Sequence, residues 1–120
     1  MSDQHKNYKE VDDVVVLCAE NYINDIEGEK LEKVCDAFLA KGRHKFVIDF
    51  SGTDIINSIG ISILIGIVEK IQDKKGQMLF SGLKRVNHDI FNMVGLTKHI
   101  PVLKTEDEAV NRIMTGNTGQ

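Results

Sequence analysis

The feature that most constrains this chain is Phe46-Val47-Ile48-Asp49-Phe50, a short apolar run bounded by charge on one side and by Ser51-Gly52 on the other. A strand that is apolar on both of its alternating faces must be covered from both sides, which is the mark of a central strand. Its neighbours in the chain can supply that cover. Upstream, Leu31, Val34, Cys35, Phe38 and Leu39 follow helical spacing from Ile26, and Lys41-Gly42 suits the end of that helix. Downstream, Asn57-Ser58 opens a second helix that runs to about Lys74, with Gly76 just beyond it.

The remaining segments keep the alternation. Val11 and Val14-Val15-Val16-Leu17 flank Asp12-Asp13 and read as a β-hairpin. Met78-Leu79-Phe80 is a strand, and Val86, Ile90, Met93 and Val94 mark a short helix closed by Gly95. Ile100 to Leu103 is a last short strand. Thr105 and Glu108 form a capping box ahead of Ala109, Val110 and Ile113. The expected order is β-β-α-β-α-β-α-β-α: an α/β fold with a mostly parallel central sheet, an N-terminal β-hairpin and helices packed on the sheet. With 120 residues there is room for one domain, residues 1–120. Its core should span about residues 8–113, and the polar N-terminus and the tail 115–120 are expected to be mobile.

Several function classes drop out. The net charge is −3, without the clustered basic face that nucleic acid requires. The most apolar stretch, Ile55 to Val68, is shorter than the ~20 residues of a bilayer span, so no direct membrane insertion is expected. The polar start is no signal peptide, and two cysteines, Cys18 and Cys35, make no disulfide framework, which points to the cytoplasm. His5, His44, His88 and His99 show no metal-ligand spacing with each other or with the cysteines. No phosphate loop, dinucleotide fingerprint or Gly-x-Ser-x-Gly elbow is present, so neither a cofactor nor a catalytic residue is expected.

The second helix is the informative segment. At 100° per residue, Ile61, Leu64, Ile65, Val68 and Ile71 gather on one side, and Ser62, Gly66, Glu69 and Lys70 on the other. Ile59 and Ile63 fall at the margin. Either the preceding loop or the third helix covers them, or they form an apolar patch where another protein docks. Asn57 or Ser58 can cap the helix. A phosphate on a hydroxyl here would sit at the positive end of the helix dipole. It would also bring about two negative charges to the mouth of any apolar contact surface.

Taken together, Phe46 to Ile61, with Ser51-Gly52-Thr53-Asp54 and Asn57-Ser58-Ile59-Gly60 inside it, resembles the strand, loop and helix start of STAS domains. Phe91-Asn92-Met93-Val94-Gly95-Leu96, Ile100 and Thr105 to Val110 resemble the family's C-terminal half. The resemblance covers residues from about Tyr8 to Ile113 and implies a STAS-like fold and a binding module, not an enzyme. Stand-alone bacterial members are anti-sigma-factor antagonists. They sequester an ATP-binding anti-sigma factor with serine kinase activity, and phosphorylation of a serine at the start of the second helix switches them off.

The family's switching members read Asp-Ser-Ser-Gly where this chain has Asn57-Ser58-Ile59-Gly60, so Ile59 stands at the phosphoacceptor position. Either Ser58 takes the phosphate, or Ser62 one turn on does, or the protein does not switch this way. Glu20 to Asn24 also stands where a glycine turn is common in the family. The implied partner-binding residues are Asp54, Asn57, Ser58, Ile59, Ser62, Ile63, Lys84 and Arg85. The alternative the family offers is an accessory or scaffold subunit of an ABC lipid transporter or of a stress-signalling assembly. A homodimer through the edge strand of the hairpin is a further expectation.

Overall fold

The computed structural model describes residues 7–116. In chain order the elements are β1 (Tyr8–Val11), β2 (Val14–Cys18), β3 (Tyr22–Ile23), α1 (Asp25–Ala40), β4 (Lys45–Asp49), β5 (Ile55–Ile56), α2 (Ser58–Asp73), β6 (Gln77–Ser81), α3 (Arg85–Val94), β7 (Val102–Leu103) and α4 (Glu106–Met114). The main sheet has the order β1-β2-β4-β6-β7. β1 and β2 form the antiparallel hairpin, and every other neighbour pair in this sheet is parallel. From β2 onward the chain steps steadily toward one edge. Right-handed crossovers taken in one direction place their helices on one face, and α1, α2 and α3 share it.

The pleat sorts the strand residues onto two cores. Val15, Leu17, Phe46, Ile48, Met78 and Phe80 meet the three-helix face, where Leu31, Cys35, Phe38, Leu64, Ile67, Ile71 and Phe91 pack. Val14, Val16, Val47 and Leu79 point the other way, onto Ala109, Val110 and Ile113 of α4. Between α3 and the sheet, Phe50, Phe80 and Phe91 meet edge to face, with ring centroids 5.3–5.4 Å apart. Cys35 lies in the larger core, and burial pushes its thiol up to about 12. Among the described residues no helix is long and apolar enough to cross a membrane.

Two expectations need correction. First, the expected order lacks β3 and β5, which pair in parallel as a separate ribbon, Tyr22 beside Ile55 and Ile23 beside Ile56; a two-residue strand is too short to show a period. Second, α3 turns Asn87 and Phe91 inward and leaves Val86, Met93 and Val94 exposed. The amide of Asn87 takes the inward position because it bonds the loop before β5, donating to the carbonyl of Thr53 at 3.2 Å. At the C-terminal end of α4, the backbone N–H groups of Thr115 and Gly116 donate to the carbonyls of Asn111 and Ile113. Residues 117–120, and 1–6 at the other end, lie outside the described residues.

The three-ring contact makes α3 depend on Phe91. Phe91→Ala should destabilise the fold by about 3–5 kcal/mol in urea unfolding, the usual range for a fully buried Phe.

Candidate protein-binding face

α2 starts directly after β5, and its first turn is bonded to β3. Asn57 is the cap: its Oδ1 accepts the backbone N–H of Gly60 at 2.8 Å, while its own backbone N–H donates to the carbonyl of Ile23 at 3.0 Å. Its Nδ2 donates to the Tyr22 hydroxyl at 3.2 Å. The helix comes so close to β3 that a Cβ on Gly60 would lie 2.6 Å from the Ile23 carbonyl oxygen. Only glycine leaves that gap, so the Asn57-Ser58-Ile59-Gly60 sequence is a packing requirement as well as a cap.

The loop ahead of β5 is held from three directions. Thr53 Oγ1 donates to the Glu20 carbonyl at 2.7 Å, and Asp54 N–H donates to the Asn21 carbonyl at 2.8 Å. The Asp54 carboxylate accepts from Asn21 Nδ2 at 2.8 Å and from the Lys84 ammonium just before α3. The bond from Lys84, then that from Asn21, holds the Asp54 carboxyl below its ordinary range. The exposed Asp54 carboxylate thus links the β4–β5 loop to the β2–β3 loop by a hydrogen bond and to the start of α3 by an ion pair.

This frame displays a small surface. Ser58 is exposed at the first position of α2, where backbone N–H groups lack helical partners. Its hydroxyl makes no hydrogen bond among the described residues. Ile59 is 52% exposed beside it, and Ser62 is exposed one turn on. Ile63 takes a different place: it is half-buried and packs over Gly28 of α1, where a Cβ would come within 2.9 Å of its Cδ1. Of the two marginal isoleucines, one is therefore covered, by the first helix rather than by the loop or the third helix. Lys84 lies in the ion pair, and Arg85 is exposed with no ion pair among the described residues.

Asn21, Tyr22 and Asn87 stand outside the expected contact residues, while Ile55 lies within the expected contact loop Asp54 to Asn57. Tyr22 and Ile55 are exposed cross-strand neighbours on the ribbon that carries the helix start, and they enlarge its apolar surface. Their signal was two apolar pairs of equal length, Tyr22-Ile23 and Ile55-Ile56, each ahead of an asparagine. Among the described residues no group of three His, Cys, Asp or Glu side chains is placed to hold a metal ion.

The chain thus combines a mostly parallel sheet edged by a hairpin with a helix start displayed on a two-strand ribbon. The family profile matches residues 5–109, and the chain belongs to the STAS domain family. Among its relatives is BtrV of Bordetella bronchiseptica, named as a candidate anti-sigma factor antagonist; it is 23% identical over 105 residues, 88% of this chain and 90% of BtrV. A candidate anti-sigma factor antagonist of Thermotoga maritima, solved by crystallography, superposes with a TM-score of 0.79 at 26% identity, covering 89% of this chain and 92% of that one. The Bacillus cell fate determinant SpoIIAA in its phosphorylated form has the same fold, with a TM-score of 0.75 at 17% identity over 88% of this chain and 96% of its own.

Two measurements test the frame. In a carbon-detected NMR titration, Asp54 should ionise below ordinary aspartates, and Lys84→Ala should bring it back up. The sign follows from linkage: a depressed carboxyl stabilises the fold above its unfolded pKa, and that contribution disappears as the pH falls through the folded value. Gly60→Ala should cost about 1–3 kcal/mol in urea unfolding, the usual range for overpacking.

Proposed function

We propose that this protein is an anti-sigma-factor antagonist-like regulator that acts by partner switching in transcription, not an enzyme. Its partner is an ATP-binding anti-sigma factor with serine kinase activity. The contact face is the start of α2 with Asn57, Ser58, Ile59 and Ser62, bordered by Asp54, Lys84 and Arg85, with Ile63 behind it as its support. The observation that carries this reading is Ile59, a β-branched side chain half exposed on the first turn of a helix and fixed there by the Asn57 cap. Such a residue gains from burial against another protein, and the ribbon residues Tyr22 and Ile55 extend the apolar surface around it.

Ile59 also bears on regulation. An isoleucine cannot be phosphorylated and presents the apolar surface of a switched-on state. Ser58 is the available phosphoacceptor beside it, and Ser62 is the second. A phosphate on Ser58 would meet the unpaired N–H groups of the first turn while placing charge against the apolar contact. If neither serine is modified, the antagonist is constitutive. The same apolar position favours a second reading, an accessory or scaffold subunit that docks permanently, on the ATPase of an ABC lipid transporter or in a stress-signalling assembly.

The test begins with a tagged pull-down from native cells and calorimetry on the partner recovered. Ile59→Asp should weaken binding at least tenfold, about 1.4 kcal/mol, which is just under the roughly 1.5–3 kcal/mol gained by fully burying an isoleucine. Unchanged affinity would show that the contact face lies elsewhere. Recovery of a transporter ATPase in place of a soluble kinase would establish the accessory-subunit reading. With a kinase in hand, ATP incubation and mass spectrometry should find any phosphate of α2 on Ser58, or in second place on Ser62; its absence from both marks the antagonist as constitutive.

A further inference from the structure

α3 has a second apolar edge that its own fold leaves uncovered. Val86, Ile90 and Met93 recur at helical spacing, and Ile90 alone is tucked against the core. Val86 is 59% exposed and Met93 80%. At its C-terminal end this edge borders a groove of about 160 Å³, in which Val94 and Leu96 face Ile65 and Val68 of α2. Two opposite charges lie at the ends of the stripe. Arg85 opens α3, and Glu69 lines the groove near Gly95, where α3 closes. Neither forms an ion pair among the described residues.

We infer that this edge is a homodimer interface, in which α3 pairs antiparallel with α3 of a second copy about a two-fold axis near Ile90. The occupant follows from self-complementarity. A two-fold contact uses one patch twice, so each feature must find its complement within the same patch. With the axis at Ile90, Val86 lies opposite Val94 of the second copy, and Arg85 lies opposite its Gly95, beside which Glu69 lines the groove. Both unpaired charges are thereby matched, once on each side of the axis. Met93 then sits over the mouth of the neighbouring groove, and the antiparallel helices set their dipoles in opposition. The hairpin edge is a poorer candidate for self-association. Lys9 and Glu10 project from β1 and are held in ion pairs with Glu106 and Arg43, the kind of charge that discourages strand pairing.

Arg85 also borders the face proposed above, but the inference does not rest on that reading and is tested on the purified full chain alone. Sedimentation velocity and light scattering at increasing concentration should show a species of twice 13.4 kDa. Met93→Glu should raise the dimer dissociation constant at least about tenfold, since it buries a charge in an apolar contact, with an unchanged circular dichroism spectrum. Arg85→Glu should weaken the dimer, and adding Glu69→Arg to it should restore association, a rescue that no general loss of folding can produce. A wild-type chain that stays monomeric up to sub-millimolar concentration would overturn the inference. So would a dimer unaffected by Met93→Glu, including one broken instead by substitutions on β1.

Discussion

Phe46 and Ile48 point to one side of β4 and Val47 to the other, and each side needs its own layer of apolar cover. That requirement organises the domain. The three crossover helices cannot serve both faces, because the chain steps across the sheet in one direction from β2 to β7 and right-handed crossovers hold them together on one side. The opposite face would be left to water. α4 closes it, with Ala109, Val110 and Ile113 laid on the Val14, Val16, Val47 and Leu79 row.

The candidate site lies where the covered sheet ends. Beyond β4 the chain leaves the sheet and forms the two-strand ribbon, and the ribbon rather than the core positions the start of α2. Gly60 lets the helix approach the backbone of β3, Asn57 caps it, and the Asp54–Lys84 pair keeps the adjoining loops in place. Ile59 is consequently presented on a rigid mount. This is the arrangement a binding surface needs, because a side chain already held in its bound position loses little freedom on contact.

α2 is divided by its neighbours into surfaces with different fates. Toward α1 it is closed: Ile63 sits over Gly28, and Lys70 reaches Glu32 at 2.7 Å and Asp36 at 3.0 Å. Toward α3 it is open along the groove that begins at Ile65 and Val68. Its first turn, with Ser58 and Ile59, belongs to neither and faces outward. A helix that is strongly apolar by composition thus contributes to the core, to a tight helix pair and to two distinct exposed surfaces.

The periodic segments were legible in the sequence because each carries its own signal. The double-sided run at β4, the helical spacing in α1 and α2, and the cap at Thr105 all declare themselves within a few residues. So did the ambiguity at Ile59 and Ile63, since a helical wheel locates a margin without saying what lies beside it. Only the tertiary structure decided that α1 covers Ile63 and leaves Ile59 open, because that depends on Gly28, more than thirty positions away in the chain. The ribbon was invisible for a related reason: Tyr22-Ile23 and Ile55-Ile56 become strands by bonding each other, and neither is long enough to show a period alone. The sequence determined which residues seek burial; the contacts between distant segments decided which of them obtained it.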